Sequence, residues 1–175
     1  MTVEYDFDGQ VVLVTGAAGA LGSAVAESFD AAGATVCAAD IVDPDDEDSE
    51  VAVDRSRVDY YQGDFTDEAT VEGVVEGVVE AHGRLDALCN IAGTWRGGDP
   101  IDETGVDTFD FLFDLNLKTM FLASKHALPH LRETDGAIVS VSARSSLEGG
   151  EGDGIYRASK AGVRLLTETV AEEHL

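Results

Sequence analysis

Short apolar runs alternate with helical patterns along this chain, the arrangement expected of βαβ units and a parallel sheet. Residues 10–14 form a continuous apolar run that starts after Gly9 and stops at Thr15-Gly16, which predicts a buried first strand. Residues 21–32 predict a helix with Gly33 placed to end it, and residues 35–39 a second strand. Residues 43–50 are acidic and aperiodic and read as a loop, and residues 58–62 read as a third strand. The clearest period follows: Val71, Val74, Val75, Val78 and Val79 recur at helical spacing, and Gly83 closes the segment. Residues 85–90 predict a fourth strand and residues 106–131 one long helix. Residues 137–141 predict a fifth strand, and a final helix runs from about Tyr156 to the end. There is no internal repeat, and 175 residues suffice for one domain with a core of its own.

Charge narrows the choice of partners. Acidic residues number 35 against 11 basic ones, for a net charge of -24, and the only lysines are Lys118, Lys125 and Lys160. Nucleic acid is not an expected partner. Most of the acidic residues read as a solvated face, and the excess suggests a salt-rich cytoplasm in which screening relieves self-repulsion. Equal unfolding midpoints in dilute and multimolar potassium chloride would discard that suggestion. Cys37 and Cys89 each lie in an apolar run, so they read as small core residues in a reducing compartment rather than as a bridge. The first residues have neither the basic nor the apolar region of a signal peptide, and no run approaches membrane-spanning length. A soluble, cytoplasmic protein with no membrane partner is expected.

Three pieces of candidate chemistry fall in favourable contexts. Thr15-Gly16-Ala17-Ala18-Gly19-Ala20-Leu21-Gly22 joins the first strand to the first helix. Small residues there let backbone approach a pyrophosphate, and the free N–H groups at a helix start favour its charge. Asp40 ends the second strand 24 residues after Gly16, where a carboxylate accepts hydrogen bonds from the adenosine ribose. No Arg or Lys lies between Gly16 and Asp54, whereas Asp43, Asp45, Asp46, Glu47 and Asp48 do, so NAD is expected to bind better than NADP. Tyr156 and Lys160 are four apart on the last helix, on one face, with Cβ atoms about 5–6 Å apart. A phenol can serve as general acid or base near neutrality only beside a cation in an enclosed cleft. The order of these features places all three at the carboxyl edge of one sheet, where such folds bind ligands.

On these residues the chain, from Gln10 onward, resembles the short-chain dehydrogenase/reductase family. The resemblance implies a Rossmann-type, doubly wound, three-layer αβα fold. It further implies cofactor contacts by Thr15, Gly16, Ala18, Gly19, Ala20, Leu21 and Gly22, and by Asp40. Asp64 and Phe65 in Gly63-Asp64-Phe65-Thr66-Asp67 would serve the adenine, and Asn90, Ala92 and Gly93 in Asn90-Ile91-Ala92-Gly93 would line the site after strand four. Asn116 matches the helix asparagine that supports a proton-relay water, Tyr156 the proton carrier, and Lys160 its partner, which also holds the nicotinamide ribose. The implied activity is interconversion of a secondary alcohol and a ketone with NAD, in a homodimer or homotetramer.

Three departures qualify this. The family's serine thirteen positions before the tyrosine falls on Ala143, leaving Ser142, and less directly Ser145, to supply a hydroxyl; Ile91 stands where a second asparagine is common. The sequence also stops inside the helix that carries Lys160, which predicts a fold lacking the family's last strands and helix. Two alternatives follow, a dinucleotide-binding fragment with impaired catalysis and a nucleotide-sugar epimerase or dehydratase suited to the same glycine spacing. Asn90 to Gly93 and Asn116 argue against the latter. His126 and His130, four apart on a helix, gather no further ligand cluster in the sequence, and no metal is expected.

Overall fold

The computed structural model describes residues 5–43, 45 and 54–174. Asp46, Glu47 and Asp48 of the acidic run lie outside the described residues. Five parallel strands, β1 (Val11–Thr15), β2 (Thr35–Asp40), β3 (Asp59–Gln62), β4 (Ala87–Asn90) and β5 (Ala137–Ser140), stand in the order β3-β2-β1-β4-β5. The central strand β1 is buried along its whole length, as expected of a parallel strand covered on both faces. On one face Val12, Val14, Val36, Ala38 and Cys89 pack with Ala26 of α1 (Ala20–Ala31). On the other, Val11, Leu13, Cys37, Ala39 and Leu88 meet two helices. These are α2 (Glu68–His82), through Val71, Val74, Val75 and Val78, and α4 (Thr119–Glu133), through Leu122, Ala123, Ala127 and Leu131. The valine period read from the sequence is therefore the buried stripe of α2.

Local chemistry sets the ends of these elements. The Asp67 carboxylate caps α2 by accepting from Thr70 N at 2.9 Å, and Gly83 ends it at φ 75° with its N–H on Val79 O. Both cysteines are buried and unbridged. Burial, with the Asp59 carboxylate adding to it, pushes the Cys37 thiol up to about 12, and burial pushes the Cys89 thiol up to about 11. No helix among the described residues is long and apolar enough to cross a membrane.

The sequence reading of one long helix over residues 106–131 needs correction. The structure has α3 (Val106–Phe113), then a π-helical turn at Asp114–Lys118, then α4, which continues through Pro129 to Glu133. Apolar spacing does not register one extra residue in a turn. The insertion matters because such turns reorient a single side chain, here the buried Asn116. The last helix, α5 (Gly154–His174), starts two residues earlier than expected and packs on α3, the π turn and β5.

At the amino edge of the sheet the buried Asp86 closes the entry to two strands. Its carboxylate accepts Val11 N at 2.8 Å and two Arg84 donors at 2.8 and 2.6 Å. Burial pushes this carboxyl up, but the hydrogen bonds from Arg84 and Val11 and the Arg84 charge outweigh it and hold the group below its ordinary value. A depressed carboxyl contributes stability above its unfolded value near 4 and loses it as pH falls through the folded value. Asp86→Asn is therefore expected to cost about 1–3 kcal/mol near neutrality. Urea midpoints of the two proteins should converge below about pH 4.

Candidate functional site

The strand order reverses between β1 and β4, so the chain leaves their carboxyl ends in opposite directions and opens a crevice there. A cavity of about 610 Å³ fills that crevice. Its floor is the β1–α1 loop. Gly16 turns the chain at φ 69°, and an added Cβ would lie 2.7 Å from Ala92 N and 2.8 Å from its Cα. Gly22, in the first turn of α1, abuts the Gly16 carbonyl so closely that a Cβ would collide with it. Both glycines are required for the loop to fold back onto its own helix and against the β4 loop. Gly16→Ala is expected to cost about 1–3 kcal/mol of stability, read as a lower thermal or urea midpoint.

Gly16, Ala18, Gly19, Ala20, Leu21, Gly22, Asp40, Asp64, Phe65, Ala92 and Gly93 all line this one cavity, together with Ser142, Tyr156 and Lys160. The three sequence signals, far apart along the chain, thus share a single wall. Asp40 accepts Ala18 N on Oδ2 at 3.0 Å and Val42 N on Oδ1 at 3.2 Å, so its carboxylate is fastened to the glycine loop. Asp64 accepts the N–H and the hydroxyl of Thr66 at 2.8 and 2.7 Å, a turn that leads into the α2 cap.

Three predicted residues do not line the cavity. Thr15 is buried behind it, where Oγ1 accepts Ile91 N and Ala92 N, each at 3.2 Å, and so joins the β1 loop to the β4 loop. Asn90 is buried and donates to Ser124 Oγ and Ser140 Oγ, both at 3.2 Å. Asn116 accepts Thr94 N at 2.8 Å and donates to Ser159 Oγ at 3.1 Å. These residues hold the wall from behind. Gly93 makes the arrangement possible, since a Cβ there would lie 2.7 Å from Asn116 Oδ1 and 3.0 Å from Lys160 Nζ.

Lys160 is buried, and Nζ donates to Val141 O at 2.9 Å. Burial lowers its ammonium below the ordinary lysine value. Tyr156 sits one turn earlier on α5 and is half-buried at the cavity. Ser142 lines the cavity where Ala143 and Ser145 do not. Its hydroxyl donates to Lys160 O at 2.7 Å and lies 3.2 Å from Ser146 Oγ. The sequence reading missed Ile41, Val42, Leu115, Thr119 and Val141 in the wall, and Ser159 behind it. Ser159, three residues after Tyr156 and bonded to Tyr156 O at 2.8 Å, could have been found from its place between the two singled-out residues.

A family model described as short chain dehydrogenase matches residues 10–175. The chain belongs to that family. It is 34% identical over 168 residues to meso-2,3-butanediol dehydrogenase from Serratia marcescens, covering 96% of this chain and 66% of that protein. It is 37% identical over 170 residues to the 3-oxoacyl-(acyl-carrier-protein) reductase FabG of Thermotoga maritima, covering 95% and 68%. The ligand-free structure of Thermoplasma acidophilum aldohexose dehydrogenase superposes with a TM-score of 0.84 at 27% identity, over 95% of this chain and 62% of that one. The chain thus spans about two thirds of the length of the proteins it matches, and it shares their parallel-sheet fold.

Proposed function

We propose that this chain carries the cofactor and acid–base site of an NAD-dependent oxidoreductase that interconverts a secondary alcohol and a ketone. The observation that carries the reading is the convergence of the glycine loop, Asp40, Tyr156 and Lys160 on one cavity. Its size falls within the range of small-molecule and cofactor sites, and the positions of Gly16 and Gly22 leave backbone where a side chain would block a pyrophosphate. The residues present therefore fit a dinucleotide, with its phosphates over residues 16–22, its adenosine ribose at Asp40 and its adenine beside Asp64 and Phe65. When bound, NAD would supply the two-electron, hydride-accepting chemistry of the interconversion.

The chain's own work is proton transfer and positioning. Tyr156 Oη takes the proton of the substrate hydroxyl in the oxidative direction and returns it in the reductive one. Lys160, one turn later on α5 and lining the same cavity, is placed to hold the nicotinamide ribose. Asn116, pinned by Thr94 N and Ser159 Oγ, holds the α3–α4 junction beside this pair and supports the path by which the proton leaves. Ser142 fixes the helix turn of Lys160 through that residue's carbonyl. The names of the relatives, a diol dehydrogenase and a 3-oxoacyl reductase, support an alcohol/carbonyl substrate of small size. The same relationship supports a homodimer or homotetramer in a cytoplasmic setting.

A second reading, a dinucleotide-binding unit without turnover, is favoured by one observation: Ala143 has no hydroxyl and that of Ser142 is already committed to Lys160 O. Titration with NADH, followed by nicotinamide fluorescence, and assay of a panel of secondary alcohols with NAD separate the two. Binding with turnover supports the enzyme, and binding without turnover supports the second reading. No binding at millimolar NADH would refute both.

A further inference from the structure

Away from the cavity, strand register and a helix end bring three different metal-binding side chains together. Cys37 of β2 and Asp59 of β3 are direct partners in the parallel ladder, so both side chains emerge on the α2 face of the sheet. His82 is the last residue of α2, and the left-handed Gly83 turns the chain away immediately after it. The imidazole is thereby laid over the start of β3. One Cys sulfur, one Asp oxygen and one His ring nitrogen lie within 4.8 Å of one another.

An ordinary histidine–aspartate pair would account for two of these residues, yet the details do not match it. His82 Nε2 is 3.1 Å from Asp59 Oδ2, yet the atom is buried and has no hydrogen-bond partner. Close approach of two donors without a directed bond is the relation of ligands that share an ion. A nitrogen and an oxygen on one tetrahedral zinc lie about 3.3 Å apart, near the observed separation, and pairs that include sulfur lie about 3.6 Å apart. Tyr61, on the same face of β3 two residues after Asp59, packs against the core cluster that holds Cys37 and is placed as an outer support for that ligand.

We propose that Cys37, Asp59 and His82 form a zinc site that clamps the edge strand β3 to the end of α2. The mixed donor set suits a borderline-soft divalent cation and disfavours magnesium or calcium, which take oxygen ligands. Three protein ligands leave a fourth position, and the exposed Asp59 side supplies water to it. Metal binding releases the Cys37 proton and ties the end of α2 to the β2–β3 ladder, against which it is otherwise held by packing. The site is separate from the dinucleotide cavity and does not depend on the proposed oxidoreductase activity.

The test uses the full chain, stripped by a chelator and titrated with Co²⁺ and then Zn²⁺ in potassium chloride concentrated enough to screen the acidic surface. The expected result is one equivalent of tetrahedral Co²⁺ with a near-ultraviolet thiolate charge-transfer band, displaced by Zn²⁺, and a higher unfolding midpoint with Zn²⁺ bound. Cys37→Ala and His82→Gln should each weaken Zn²⁺ binding by about 100-fold or more. Cys37 is a core residue, so His82→Gln, at a helix end, keeps the test valid if Cys37→Ala does not fold. Absence of the thiolate band, far less than one equivalent, or binding that survives His82→Gln but falls with His126→Gln would each overturn the proposal.

Discussion

Tyr156→Phe is expected to lower kcat/KM for a secondary alcohol by about 10²–10⁴-fold while leaving the affinity for NADH nearly unchanged. The substitution removes one hydroxyl from a half-buried ring and no cavity-forming bulk, so the fold and the glycine loop should be untouched. What disappears is the atom proposed to exchange the substrate proton. Among the described residues, the other side chains at this end of the cavity replace it poorly. Lys160 Nζ is held on Val141 O, and the Ser142 hydroxyl donates to Lys160 O. A solvent proton would have to reach the oxygen without a positioned carrier, which raises the barrier by about 3–5 kcal/mol. Measurement of kcat/KM with NAD, beside NADH titration of the same variant, checks both halves. Equal turnover in the two proteins would remove Tyr156 from the mechanism, and loss of NADH binding would make its role structural.

The extent to which such a site can be read from sequence depends on how local its causes are. The α2 stripe and its glycine stop are both written within one segment, and the structure reproduces them. The strands β1, β2 and β4 were equally legible, because buried parallel strands are nearly continuous apolar runs, whereas β3 and β5 at the sheet edges are only partly buried. Convergence of the glycine loop, Asp40, Tyr156 and Lys160 followed from topology alone, since loops after parallel strands open at one edge.

Other features depend on partners that no local pattern names. The π turn at Asp114–Lys118 leaves the apolar period almost intact, so the sequence reads straight through it, although it determines where Asn116 points. Thr15 and Asn90 looked like cavity residues from their positions beside it. Their side chains turn inward because two loops and two serines, the buried Ser124 and the partly buried Ser140, had donors or acceptors to satisfy. The juxtaposition of Cys37 with Asp59 is a property of register, and register cannot be counted across residues 41–58 without the pairing itself. The structure also showed that Ser142, chosen as the nearest hydroxyl to Ala143, belongs to the main-chain fastening of Lys160.

Asp40→Asn is expected to narrow the discrimination between NAD and NADP by about 10- to 100-fold, mainly through tighter NADP binding. The carboxylate ends β2 at the cavity, with its two oxygens on Ala18 N and Val42 N. In the proposed pose it also faces the 2′ position of the adenosine ribose. A hydroxyl there can donate to it, whereas a phosphate presents a second negative group. Two unit charges about 4 Å apart repel by about 1 kcal/mol in water and about 4 kcal/mol in a site of intermediate polarity, which brackets the expected change. The described neighbours in the wall, Ala18, Ile41 and Val42, bring no cation to offset it. Asparagine is the informative replacement, because its amide oxygen still accepts Ala18 N and keeps the loop fastened, whereas alanine would orphan that N–H and confuse charge with structure. Dissociation constants for NADH and NADPH, measured on both proteins at low and high salt, give the answer. The penalty should shrink with salt in the native protein and hardly respond in the variant. A native protein that binds NADPH as tightly as NADH, or an Asp40→Asn protein with the same preference as the native one, would place the adenosine ribose elsewhere than at the end of β2.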